Sequence, residues 1–356
     1  MKSALSRFSV SAAHRAASAL IRPLILPLIR PFVVPRIVLA ATAIGLGGLT
    51  VFSLAGCAAP ASHESASAQR PLLAPAGMVG GVQPILLQAR PFGAAPGAGG
   101  ATYVRWQHPM LATGRNGLLY VFDAGRRQIF RYDPMQQAMT RFNETLSEGV
   151  RSIAVASDLS LYVADANARQ VSHYSWDGRL LRSFSSSLEL GRPVAIVLDE
   201  PHDRLFVADG LFNRVVVFNS FGRVLSVIRP LESHGIEAMA VGADALYLLD
   251  RASRQVVMLG MDGKERIAFG PEVLKDPVAI AIDRFNRVYV ADQFDDRIKI
   301  FDGGKMIAAF GRQGSVPGAF HRITGLSIES NTLYVSDSLN ARVQMFNVVP
   351  PENRGP

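Results

Sequence analysis

Val288-Tyr-Val-Ala-Asp-Gln-Phe-Asp-Asp-Arg-Ile-Lys-Ile-Phe-Asp302 decides how the chain is read. Two runs within it, Val288–Ala291 and Arg297–Phe301, are rich in β-branched and aromatic residues, and the second alternates in polarity, which predicts two strands. The polar connection 292–296 has the length and composition of a hairpin loop. The unit returns as Leu119-Tyr-Val-Phe-Asp123, Leu161-Tyr-Val-Ala-Asp165, Leu205-Phe-Val-Ala-Asp209, Leu246-Tyr-Leu-Leu-Asp250 and Leu333-Tyr-Val-Ser-Asp337. The closing aspartates therefore recur every 41 to 45 residues. An all-strand repeat of that length marks a propeller.

Each repeat divides into four strands. In the fifth they are Pro277–Ile282, Arg287–Ala291, Arg297–Phe301 and Lys305–Phe310. Strands near the axis are covered on both faces, so Val194–Leu198 and Val278–Ile282 are nearly continuously apolar. Small residues such as Ala195, Ala279 and Gly325 suit a narrow hub. The pairs Asp177-Gly178, Phe221-Gly222, Asp262-Gly263 and Gly303-Gly304 fall where the third strand turns into the fourth. After Arg342–Val348 no sequence is left for a fourth strand, whereas Thr102–Trp106 precedes the first repeat and offers one. Pairing the two would remove exposed sheet edges. The expected fold is all-β: a six-bladed β-propeller of four-stranded antiparallel blades over 101–349, closed by a strand near 101–107, with 350–356 as a tail.

Three repeats resemble NHL repeats: Tyr289-Val-Ala-Asp-x-x-x-x-Arg-Ile-x-x-Phe-Asp302, Val207-Ala-Asp-x-x-x-Asn-Arg-Val-x-x-Phe218 and Val335-Ser-Asp-x-x-Asn-Ala-Arg-Val-x-x-Phe346. The link Phe310–Phe320 is similar to the family's connection into an inner strand. Repeat four departs, with Leu248-Leu249-Asp250 and with Met258-Leu259 for the usual aromatic end. Repeat one lacks the full preceding link. The resemblance implies six-bladed propellers that mostly bind macromolecules, with a few enzymes among them.

The formal charge of +8 is not that of the repeats. Residues 1–56 hold six bases (Lys2, Arg7, Arg15, Arg22, Arg30 and Arg36) and no acid. Of the chain's 37 bases, 31 then face its 29 acids, and this near-neutral remainder argues against a nucleic-acid partner. The basic residues precede an uncharged apolar run, Ile37–Phe52, and then Leu54-Ala55-Gly56-Cys57, the order of a secretory signal. A membrane-spanning helix needs about 20 apolar residues, and this run is shorter. Leu54–Cys57 resembles the bacterial lipobox, which implies cleavage before Cys57 and acylation of its sulfur, palmitate-like chains then holding the protein on a membrane. Ala58 and Ala59, where an aspartate would retain the protein at the inner membrane, point to the outer membrane, facing the periplasm. Cys57 is the only cysteine, so no disulfide forms within the chain. Residues 57–100, rich in Ala, Pro, Gly and Ser, are expected to be a flexible tether. Its apolar island, Val82–Phe92, is read as a strand against the folded body or, alternatively, as a docking peptide.

Two sets of side chains are candidates for function. Arg127, Arg169, Arg214, Arg254, Arg297 and Arg342 follow the repeat aspartates Asp123, Asp165, Asp209, Asp250, Asp292 and Asp337. Six guanidinium groups would make an anion-binding ring. Paired with the aspartates they would instead pin each hairpin, and repetition in every blade favours that architectural reading. His108, His234 and His321 are not repeated and lie just before inner strands, at one mouth of the channel. Converging there, neutral imidazoles would hold Zn²⁺ with an open coordination position. The NHL resemblance extends in outline to a lyase that releases amidated peptides with a histidine-bound metal, but no HxH or HExxH spacing occurs here. Nor does a Gly-x-Ser-x-Gly elbow. The expected function is that of a monomeric, lipid-anchored envelope protein. Its propeller binds another envelope protein or a polymer without catalysis and without a cofactor. The alternative is a metal-dependent lyase or hydrolase at the channel mouth.

Overall fold

Six inner strands stand side by side around one axis: Pro109–Arg115, Val150–Val155, Pro193–Asp199, Ile236–Val241, Pro277–Ile282 and Ile323–Glu329. They come from a computed structural model that describes residues 71–88, 102–142, 145–185, 190–231 and 233–351. Each inner strand opens a sheet that runs outward through the strand bearing the repeat aspartate. The chain is thus an all-β propeller. Between neighbouring sheets lie clusters of apolar side chains, such as Phe206, Val217, Leu246 and Leu259 between repeats three and four. Burial on both faces explains why Leu205–Ala208 and Val288–Ala291 are apolar throughout. The turns from third to fourth strand carry Gly178, Gly222, Gly263 and Gly304 at φ 85, 82, 81 and 82, as a tight reversal between twisted strands requires.

Five sheets are four-stranded antiparallel blades; the sheet of repeat one has six strands. The expectation of six four-stranded antiparallel blades is therefore corrected to five, since the sheet of repeat one is not of that kind. Its outer strand Ala138–Arg141 is extended in parallel by Ile85–Gln88, which pairs in turn with Thr102–Val104. Of the apolar island Val82–Phe92, Ile85–Gln88 packs as a strand. Residues 102–104 end on an outer edge and do not close the ring.

Closure comes from further upstream. Leu73–Gly80 pairs antiparallel with Arg342–Val348, from Leu73 opposite Val348 to Gly80 opposite Arg342. This corrects the closing strand expected near 101–107 and, over 73–88, the tether expected across 57–100, whose other residues lie outside the described ones apart from 71 and 72. Leu73 and Val79 enter the cores on the two sides of the last sheet, whereas Tyr103 is exposed. The strand tolerates Pro75 because it is an outer strand with its register shift between Pro75 and Gly77. At its end, Gly80 has φ 89, and a Cβ there would lie 2.7 Å from the Ala341 carbonyl oxygen and 2.8 Å from the Trp106 ring. Only glycine fits that corner.

The chain's end is pinned through a buried polar group in repeat five. Arg287 Nε donates to Asp283 Oδ2 at 2.6 Å, Tyr289 donates its hydroxyl to the same oxygen, and Arg287 Nη2 reaches the Val349 carbonyl at 2.7 Å. Burial and the Asp283 carboxylate hold the Tyr289 hydroxyl well above its usual range. Residues 1–66, with Cys57 and the apolar run, lie outside the described residues. Among those that are described, no helix is long and apolar enough to cross a membrane.

Candidate functional site: one mouth of the central channel

Every inner strand begins with the same irregularity. Its register against the next strand slips at the second residue: between Pro109 and Leu111, Val150 and Ser152, Pro193 and Ala195, Ile236 and Ala238, Pro277 and Ala279, and Ile323 and Gly325. The skipped residues are Met110, Arg151, Val194, Glu237, Val278 and Thr324. A bulge leaves one residue out of the ladder and re-aims its side chain. All six line a cavity of about 650 Å³ on the axis. Sequence reading missed this ring because a bulge leaves the apolar pattern of a doubly covered strand unchanged. The one available signal was the breach of that pattern by Arg151 and Glu237.

The repeat aspartates build the rim around this ring. Asp123 accepts the backbone N–H groups of Gln107 and His108, Asp209 those of Gly191 and Arg192, and Asp292 those of Lys275 and Asp276. Asp250 takes the N–H of His234, Asp337 that of His321, and Asp165 the hydroxyl of Ser147. Each buried carboxylate thus fastens the loop that feeds its own inner strand. At Asp250, burial pushes the carboxyl up, but hydrogen bonds led by the Ser253 and His234 N–H groups outweigh it and hold the group below its ordinary value. Burial likewise opposes the bonds at Asp292, where Lys299 and the N–H groups of Lys275 and Asp276 prevail. Groups depressed in this way contribute stability that is complete above about pH 5 and is lost as pH falls below about 4. Asp296, raised by its burial, acts in the opposite sense. In thermal melts, Asp292→Asn should flatten the loss of stability between about pH 5 and 3 relative to wild type. Parallel curves would remove Asp292 from that role.

The six arginines do not form one class. Arg127, Arg169 and Arg254 end their turns at positive φ (53, 54 and 56), the place held elsewhere by Asn213, Asp296 and Ala341. Arg214, Arg297 and Arg342 begin the following strand. Two of the expected pairs form: Arg214 Nε to Asp209 Oδ2 at 3.3 Å and Arg342 Nε to Asp337 Oδ2 at 2.7 Å. Arg127 turns to Glu148, and Arg169, Arg254 and Arg297 are exposed. At Asp292 the buried Lys299 takes the arginine's place at 2.5 Å. The expectation of six equivalent pairs is corrected accordingly. A one-residue offset between aspartate and arginine decides whether the side chain lies in the strand or on the turn.

The three histidines are held by their backbones, with one side-chain contact besides, the Ser253 hydroxyl 3.4 Å from His234 Nδ1. His108 immediately precedes its strand, His234 and His321 stand one residue further back, and all three side chains are exposed. None lines the cavity. Among the described residues, no group of three or more His, Cys, Asp or Glu side chains is placed to hold a metal. The ligand set foreseen for Zn²⁺ is therefore not assembled.

What lines the mouth instead is arginine. Arg151, Arg192, Arg251 and Arg322 all border the cavity where the inner strands begin, with Glu237 and Gln293. Arg251 is engaged, lying 2.8 Å from Asp276 and 3.7 Å from Glu237. Arg151, Arg192 and Arg322 are exposed, and among the described residues no carboxylate lies within ion-pair distance of them. On the same face, the turn tips carry exposed Leu211, Phe212, Phe294 and Leu339, with Arg214 over Phe212 and Lys275 over Phe294. The opposite mouth is belted. Arg115 of repeat one reaches Glu200 of repeat three at 2.6 Å, Ser157 of repeat two donates to the same carboxylate, and the Asn116 N–H meets Glu329 of repeat six at 3.3 Å.

No family model matches the chain. In fold it is similar to virginiamycin B lyase from Staphylococcus aureus, with a TM-score of 0.53 and 11% identity over 68% of this chain and 96% of that one. A streptogramin B lyase is similar at a TM-score of 0.54 and 11% identity, over 68% of this chain and 94% of that one. A structural genomics protein of unknown function from Bacteroides thetaiotaomicron VPI-5482 reaches 0.57 and 13% identity, over 76% of each chain. At such identities the likeness is one of fold alone.

Proposed function

We propose that this chain is an NHL-type propeller lipoprotein, anchored through Cys57 in the outer membrane and facing the periplasm, where it binds another envelope protein or a polymer without catalysing a reaction. One observation carries the reading: the repeated carboxylates are spent on fastening loops, while the face they shape leaves arginines and large apolar side chains uncovered. Exposed apolar residues clustered on one face mark interaction surfaces. The reading needs no cofactor. The alternative, a metal-dependent lyase or hydrolase, draws on the activity of the lyases with a similar fold. It would rest on His108, His234 and His321, none of which lines the cavity.

Three measurements test the proposal. Cys57→Ser should move the protein from the membrane fraction to the soluble periplasm or leave it unprocessed; a processed, membrane-bound variant would contradict the anchor. Crosslinking in intact cells should capture a partner that a Leu211→Ser/Phe294→Ser/Leu339→Ser variant loses by about tenfold or more. Equal capture by the variant would rule out this face. Stoichiometric zinc in the purified protein, lost on replacing His234 and His321 by alanine, would replace the binding reading with the enzymatic one.

A further inference from the structure

We infer that the arginine-lined mouth is a site for a small ligand bearing two or more oxyanion groups, carboxylate or phosphate. The inference rests on the binding reading above and names the chemistry that its channel would select. Four arginines border the cavity at this mouth, and the one acid among the described residues that lines it there, Glu237, lies beside Arg251 together with Asp276. The other three arginines belong to repeats two, three and six, so they border the cavity from three different blades. Arg151 is brought there by the bulge of its strand. Arg192 and Arg322 are fixed through their own backbone N–H groups, which donate to Asp209 Oδ1 and Asp296 Oδ1 at 2.9 and 2.8 Å. The loops beneath Arg192 and Arg322 are therefore fastened, while among the described residues no carboxylate lies within ion-pair distance of the three guanidinium groups.

A planar guanidinium presents paired donors that match the two oxygens of a carboxylate or phosphate. Three of them around one opening favour a multivalent anion over a monovalent one, because each added group binds at a raised effective concentration. The volume behind them, about 650 Å³, is that of a small-molecule site. The opposite end is different in sign: there Glu200 and Glu329 line the cavity with Arg115 alone. An anion entering the channel thus meets its complement at one mouth only.

Titration calorimetry on the full chain in detergent tests the inference, with citrate as the carboxylate probe, tripolyphosphate as the phosphate probe, and acetate as the monovalent comparison. Binding of citrate, tripolyphosphate or both, at least tenfold tighter than acetate, is expected. Which of the two binds better assigns the oxyanion. Arg151→Gln, Arg192→Gln and Arg322→Gln should each weaken binding by about tenfold, and the triple variant by about 100-fold or more. A control triple, Arg179→Gln/Lys264→Gln/Lys305→Gln, removes the same charge from exposed positions on the outer strands and their turns and should leave affinity within about twofold. Absence of binding by both probes, or equal losses in the two triples, would overturn the site. If that happens while crosslinking still captures a partner sensitive to the turn-tip variant, the anion site alone is wrong. If capture fails as well, the binding reading falls with it.

Discussion

A chain beginning at residue 101, where the repeats begin in the sequence, should not fold to a stable propeller. One beginning at 67 should. The shorter chain keeps every repeat but loses Leu73–Gly80, leaving Arg342–Val348 as a bare edge and removing Leu73 and Val79 from two apolar clusters. Ile85–Gln88 goes with it, uncovering the outer edge of repeat one. Domains are stable by only about 5–15 kcal/mol, and an eight-residue strand with two core side chains is a large part of that margin. Urea unfolding followed by tryptophan fluorescence reads the result directly, since Trp106 is buried in one of the affected clusters. A cooperative transition in the 101-start chain within about 1 kcal/mol of the longer one would show that the ring closes without its upstream strand.

The second large effect separates two arginines at the same place in their repeats. Arg342→Met should destabilise by about 3–5 kcal/mol, whereas Arg297→Met should change stability by less than about 0.5 kcal/mol. Arg342 is buried, donates to Asp337 and to the carbonyl oxygens of Ser315, Val316 and Ala319, and touches Met78 Sδ of the closing strand at 3.5 Å. Without it, a buried carboxylate and three carbonyls lose a donor, and the link before the sixth inner strand loses its anchor. Arg297 is exposed, and its aspartate is served by Lys299. Denaturation midpoints for the two variants decide the matter: comparable losses would mean that the repeat position, not the local network, sets the cost.

These two cases show where sequence legibility ends. The strands, their order, the glycine turns and the buried aspartates follow from periodicity and turn chemistry, because those depend on neighbours a few residues away. The role of each arginine does not. Aspartate and arginine recur in every repeat, but a shift of one residue moves the guanidinium from the strand to a turn at positive φ, and only the folded hairpin tells Arg169 from Arg214. The histidines fail for a related reason. Their loops are placed by backbone donors to Asp123, Asp250 and Asp337, which leaves the imidazoles free of the axis.

From the chain alone came an all-β propeller built from a unit of 41 to 45 residues, because the recurrence of strand-forming runs and turn residues is a one-dimensional property. Tertiary structure alone decided which segment closes the ring, since an edge strand tolerates the Pro, Gly and Ala that make 71–80 look like a spacer. It also decided which side chains meet at the channel mouth. Arg151, Arg192 and Arg322 lie far apart in the chain and become neighbours of one cavity only when the ring shuts and bulges turn the strand ends inward.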